Sequence, residues 1–145
     1  MANGIIASNP NQYDSDKAFS KNGMIDWRQT SHYDVGDLVY IYGTRPEQRI
    51  KYETLVIDTD LTFENRIDDS DCWVDYNSMR HIFLKNKFVR LKLIREFNCD
   101  GLSLEDLNNN GLKGRIQGPR RLLPETYQYI ISVADNKDDM IERRT

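Results

Sequence analysis

The chain has little of what enzymes and secreted scaffolds are built from. Only two histidines occur in 145 residues, His32 and His81. Neither stands in His-Glu-x-x-His, His-x-x-x-His or a Cys/His ligand spacing, so no zinc or other transition-metal site is expected. Cysteine is as scarce: Cys72 and Cys99 stand far apart, which excludes a disulfide framework. Two lone thiols read as reduced side chains of a cytoplasmic protein. No apolar run approaches the ~18 residues that span a bilayer. Met1-Ala2-Asn3-Gly4-Ile5-Ile6 has no basic region and no long apolar stretch, so it is not read as a signal peptide. The phosphate cradle Gly-x-x-x-x-Gly-Lys-Ser/Thr and the nucleophile motif Gly-x-Ser-x-Gly are both missing. Asp58-Thr59-Asp60 lacks the glycine and closing glutamate of a calcium loop. The one Asp-x-Lys, Asp135-Asn136-Lys137, falls in the tail rather than on a strand of a nuclease core. No catalytic residue, metal or cofactor is expected, and the sequence points to a binding domain.

What is present fits one folded domain. A chain of 145 residues buries a core without disulfides or metal. Its 39% hydrophobic and 10% aromatic content argues against disorder. The net charge of -3 is unevenly spread. Asp58 to Asp75 holds seven acidic residues and one arginine. Two stretches carry no acid at all. Arg80 to Arg95 contains Arg80, Lys85, Lys87, Arg90, Lys92 and Arg95, and Lys113 to Arg121 contains Lys113, Arg115, Arg120 and Arg121. Such asymmetry permits an anionic partner on one face, and equally describes solvated cations flanking a core strand.

Local patterns predict an order of elements. Gly4 to Ser8 reads as a strand ending at the turn Asn9-Pro10. Asp14 caps a short helix that Gly23 stops, and Met24 to Trp27 leads out extended. Asp34-Val35-Gly36-Asp37 turns into Leu38 to Tyr42, a β-branched and aromatic strand. Arg45-Pro46-Glu47-Gln48 is a loop, and Ile50 to Asp58 returns as the second strand of a hairpin. Asp58 to Asp75 reads as a long, partly mobile loop with Cys72-Trp73-Val74 as anchor. Ser78 to Asn86 is expected to hold a helical turn. Lys87 to Phe97 alternates as a strand with one basic face. Ser103 with Asp106 caps a helix that Gly111 stops, and Pro124 opens a last helix over Glu125 to Val133. Residues 1–134 form the domain, and 135–145 a charged tail or the start of a linker. The fold class is α+β, a curved, mostly antiparallel sheet with helices at its ends.

Taken in order, Asn9-Pro10, Ile25-Asp26-Trp27, Gly36-Asp37 with Val39-Tyr40-Ile41-Tyr42, the Phe88 to Phe97 strand, and Leu102-Ser103-Leu104…Gly111-Leu112-Lys113-Gly114…Gln117-Gly118-Pro119 carry a likeness. The chain resembles EVE domains of the PUA-like superfamily, which also contains the ASCH, YTH and SRA domains. The likeness spans roughly residues 4 to 133. It departs at Asp26-Trp27-Arg28-Gln29, where many relatives carry Trp-x-x-Val-Arg-Asn, and in the acidic insertion. The resemblance implies a PUA-like antiparallel pseudo-barrel of five or six strands flanked by short helices. It implies a concave pocket near the Asn-Pro turn, the tryptophan and the Gly-Asp-led strand. It also implies a reader of modified DNA bases, the specificity module of a modification-dependent restriction protein whose nuclease or NTPase lies in another domain or partner.

An extruded base must be stacked on an aromatic face and hydrogen-bonded along its edge. Trp27 and Tyr42 are the stacking candidates, each alternatively a core residue. Asn9, Asp26 and Gln29 have the donors and acceptors to read an edge. Trp73 either lids the pocket or anchors the acidic loop. Phosphates would be met by Arg45, Arg49 and Lys51 after the strand and by Lys113, Arg115, Arg120 and Arg121 in the late loop. A small-molecule or peptide site, or an RNA modification reader, would use the same pocket.

Overall fold

The computed structural model describes residues 3–75, 79 and 86–144, with side chains described as far as residue 136. Strand β1 (Asn3–Ser8) leads to helix α1 (Ser15–Asn22) and strand β2 (Met24–Arg28). Strands β3 (Leu38–Gly43), β4 (Arg49–Leu61) and β5 (Phe88–Glu96) follow. Helix α2 (Leu104–Asn108), strand β6 (Arg120–Arg121) and helix α3 (Pro124–Arg144) complete the chain. The expected helical turn at Ser78 to Asn86 lies largely outside the described residues, as do Arg80 and Lys85 of the basic stretch.

The strands form one six-stranded curved sheet in the order β2-β5-β4-β3-β1-β6, left open between β2 and β6. Five strands pair antiparallel with a neighbour, but β1 and β3 run parallel, Asn3 opposite Leu38 through Ser8 opposite Gly43. The parallel pair needs a crossover, and α1 with β2 supplies it.

Both faces of the central strands are covered. In β1, Ile6 faces one core while Ile5 faces the other; in β3, Val39 and Ile41 oppose Tyr40 and Tyr42. That alternation is the two-residue period of a strand buried on both sides. The first core adds Tyr13, Ala18 and Phe19 from α1 and its approach, Tyr52, Val56, Val89 and Leu91 from the sheet, and Cys72. The second adds Ile50, Phe97, Leu102, Leu107, Leu112, Ile116, Leu122, Ile130 and Ala134, from the late chain.

Helix ends follow local chemistry. Asp14 accepts from the Lys17 N–H, and Gly23 closes α1 at φ 69, where a side chain would strain. Ser103 and Asp106 cap α2 reciprocally. Helix α3 runs past the expected stop at Val133 to Arg144, because no glycine or proline follows Pro124 to break it.

The acidic stretch is not the loose loop its composition predicts. Strand β4 continues to Leu61, and short 3-10 turns follow at Phe63–Asn65 and Ser70–Cys72. Asp69, only 5% exposed, accepts from the Tyr13 hydroxyl at 2.8 Å, Arg66 Nη1 at 2.8 Å and Trp73 Nε1 at 3.3 Å. One buried carboxylate thus pins the segment to the first core. Outside, Lys21 holds Asp71 at 3.0 Å. Cys72 is buried and, like Cys99, free.

Candidate functional site

An irregularity in β4 creates the site. Ile41 pairs with Tyr52 but Tyr42 pairs with Ile50, leaving Lys51 as an extra residue. Such a bulge reverses the alternation of the strand that carries it. Ile50 therefore faces the second core and Tyr52 the first. Regular alternation would have kept them on one face.

The bulge borders a cavity of about 220 Å³ at the Asn9-Pro10 turn. Ile41, Tyr52 and Tyr13 line it from within, Ser8, Pro10 and Ser15 from the end of β1 and the start of α1. Asp14, Asp16, Glu47, Lys51 and Val74 complete the wall. Tyr52 is 1% exposed, and its hydroxyl has no hydrogen-bond partner. A buried hydroxyl left unpaired costs about 1–3 kcal/mol, so a fold that keeps one beside a cavity presents it to a ligand. Lys51 bends over the Tyr52 ring, its Nζ 5.2 Å from the centroid, and is held by Asp16 at 3.2 Å and Glu47 at 3.1 Å. A Cβ on Gly43 would stand 2.7 Å from Lys51 Cδ, so glycine there leaves the lysine stem its path. Ser8 Oγ and Ser15 Oγ lie 2.9 Å apart across the mouth of the helix.

The residues singled out from sequence are distributed differently. Asn9 lies at the cavity's turn, but its Oδ1 accepts the Asn11 N–H at 2.9 Å and shapes that turn. Asp26 does not read a base edge. Its side chain is 1% exposed, clamped by Arg90 and accepting the Ile67 N–H. Gln29 is likewise engaged, exchanging hydrogen bonds with Asp60 through both ends of its amide. Trp27 packs edge-on to Tyr13 at 6.0 Å, and Trp73 does so at 4.9 Å, anchoring the acidic segment. Tyr42 sits on the opposite face, in the second core. Trp27 and Tyr42 therefore cannot hold one base between them.

The basic residues sort in the same way. Arg49 donates to the Phe97 carbonyl at 2.7 Å and pairs with Glu47, Lys51 is tied down as described, and Arg120 donates to the carbonyls of Lys113 and Arg115. The expected basic face of β5 is largely spent inside the protein: Arg90 on Asp26, and Arg95 on Glu53 at 3.5 Å. The side chains of Arg45, Lys113, Arg115 and Arg121 make no hydrogen bond or ion pair among the described residues. Sequence reasoning missed Tyr52, Tyr13 and Ser15. The only hint was Lys51-Tyr52 following an aromatic strand, and it became informative once the bulge was visible.

Among the described residues, no cluster of histidine, cysteine, aspartate or glutamate is arranged to hold a metal ion, and no helix is long and apolar enough to cross a membrane.

No family model matches the sequence, and no curated protein does. Solved structures match over most of their length. The ASCH protein of Zymomonas mobilis superposes with a TM-score of 0.64 at 13% identity, over 90% of this chain and 94% of that one. The protein has the ASCH/PUA-like fold. A Leishmania major protein gives 0.61 at 16% identity, over 95% and 97% of the two chains. Human THYN1, solved in complex with 5-methylcytosine-containing DNA, gives 0.59 at 12% identity, over 92% and 97%. Within this ASCH-like fold the cavity stands where β1, α1 and the bulged hairpin meet.

Proposed function

We propose that the protein is a nucleic-acid-binding module that takes a modified base, extruded from its strand, into the cavity beside Tyr52. The observation that carries this reading is the buried, unpaired Tyr52 hydroxyl in a cavity of about 220 Å³. That volume is below the ~300–1,000 Å³ of pockets for drug-sized ligands and suits one planar base. Tyr13 and Tyr52 supply aromatic walls, and base–aromatic contact is worth about 1–3 kcal/mol. The hydroxyls of Ser8, Ser15 and Tyr52 donate or accept, and the carboxylates of Asp16 and Glu47 accept from an exocyclic amine. The DNA in the THYN1 complex carries a modified cytosine, which favours a base of that kind. The resemblance to EVE domains supports a role as the specificity module of a modification-dependent restriction or defence protein, with any nuclease in another domain or partner.

A second reading has its own observation. Asp14, Asp16 and Glu47 give the cavity mouth an acidic rim, which suits a free amine-bearing molecule better than a polyanion. Fluorescence-polarisation binding separates the two. Short duplexes carrying cytosine, 5-methylcytosine, 5-hydroxymethylcytosine or N6-methyladenine are titrated at two salt concentrations. The base-reading account expects one modified duplex to bind most tightly and to weaken steeply with salt. Equal affinity for all four, or none, contradicts it.

A further inference from the structure

The β3–β4 turn has a cavity on each side. On the face opposite the Tyr52 site, Tyr42, Thr44, Arg45, Gln48, Leu104, Arg115 and Ile116 enclose about 430 Å³. Three separate pieces of chain meet there: the β3–β4 turn, the first residue of α2, and the loop between α2 and β6. Tyr42, Leu104 and Ile116 give apolar walls, and Ile116 and Tyr42 belong to the second core.

Two guanidinium groups, distant in sequence, share this cavity. Arg45 and Arg115 have no hydrogen-bond or ion-pair partner among the described residues, whereas Arg49, Arg66, Arg90 and Arg120 are all engaged. Two like charges around one concavity repel each other unless an anion lies between them. The backbone bearing them is held firmly. Arg120 Nη1 donates to the Lys113 and Arg115 carbonyls at 2.7 and 3.3 Å, and Asn108 Nδ2 to the Leu112 and Gly114 carbonyls at 2.9 and 3.0 Å. Gln48 takes a left-handed backbone, φ 49, and its carbonyl accepts the Leu104 N–H at 3.1 Å. Non-glycine residues adopt that conformation at a cost, and such strain gathers at ligand sites.

We propose that this second cavity is a phosphate subsite. It takes the phosphate of a nucleotide on the forked donors of Arg45 and Arg115, with Tyr42, Leu104 and Ile116 against the sugar or base. Guanidinium groups suit phosphate because their planar donors match its oxygens in pairs. Glu47 lines the first cavity and Gln48 the second, so a strand that places a base beside Tyr52 passes a nearby phosphate across the turn. That strand geometry rests on the base-reading proposal, but the phosphate site itself does not. Arg120 is a positioning residue here, acting through the loop that carries Arg115.

The test is a nitrogen-15 NMR titration that follows the arginine Nε–H signals. Inorganic phosphate, deoxycytidine monophosphate, deoxycytidine and a short single-stranded oligonucleotide serve as probes. The expected result is saturable shifts of Arg45 and Arg115 with phosphate and with the monophosphate, and none at these two with the nucleoside. An Arg45→Ala/Arg115→Ala double variant should lose the response. It should also lower the oligonucleotide salt slope by about 1.4, roughly 0.7 per phosphate contact, while keeping any base preference. Shifts spread evenly over all arginines, or an unchanged salt slope in the double variant, would overturn the subsite. Displacement of the monophosphate by the oligonucleotide supports the strand path, and failure to displace it leaves a site for free nucleotides and overturns that path. If no modified base is preferred while Arg45 and Arg115 still titrate, the base-reading proposal fails and the phosphate subsite stands.

Discussion

Asp26 and Arg90 face each other across the β2–β5 pair, Nε to Oδ1 at 2.9 Å and Nη2 to Oδ2 at 3.0 Å. The contact is a fork on a carboxylate, and Asp26 also receives the Ile67 N–H from the acidic segment. It ties an edge strand, its neighbour and the segment together. Asp26→Ala strands the guanidinium and should destabilise the protein by about 3 kcal/mol. The check is the urea midpoint at unchanged m. A stable variant that lost only ligand preference would return Asp26 to the base-reading role.

Tyr52→Phe separates stability from binding. Removing an unpaired buried hydroxyl should leave the urea midpoint unchanged or raise stability by up to about 1 kcal/mol. The preferred duplex should bind roughly tenfold more weakly, a loss of about 1.4 kcal/mol. A destabilised variant with intact binding would show that the hydroxyl serves the fold.

Much of the fold is legible in the sequence because it is encoded locally. The caps at Asp14, Gly23, Ser103 and Asp106 depend on neighbours within a few residues, and all sit where the pattern puts them. The strand at Leu38 to Tyr42 is equally local. Pairing is not. Nothing in Gly4 to Ser8 says that it runs parallel to β3. The bulge at Lys51 depends on the partner strand, so the face of Tyr52 is invisible to an alternation rule. Composition misled most at Asp58 to Asp75, where one buried carboxylate, Asp69, outweighs the run of exposed ones. Site residues chosen by chemical type, such as Asp26 and Gln29, found partners inside the protein first.

Asp69→Ala should release the acidic segment. It leaves the Tyr13 hydroxyl, Trp73 Nε1 and the 12%-exposed Arg66 side chain without their shared acceptor. A loss of about 3 kcal/mol is expected, with Trp73 emission shifting to the red as it meets water. An unchanged spectrum and midpoint would contradict the pinning role.

Alkaline pH should unfold the protein through its tyrosines. Burial raises Tyr13, Tyr33, Tyr40 and Tyr42, and the carboxylates of Asp69 and Glu53 raise Tyr13 and Tyr40 further. A raised folded-state pKa gives stability that is whole below the ordinary phenol value of about 10 and is lost as pH rises above it. Denaturant midpoints should hold level below that value and fall above it. Tyrosinate absorbance from these residues should appear together with loss of structure. Their ionisation in a protein that stays folded would contradict the burial argument.

The central claim is that a base occupies the cavity beside Tyr52. Intermolecular NMR contacts between the protein and its tightest-binding modified duplex test this most directly. The account predicts contacts from protons of the modified base to the Tyr52 ring and the Ile41 methyls. A base that stays stacked in the duplex, or that contacts Tyr42 on the opposite face instead, would contradict it.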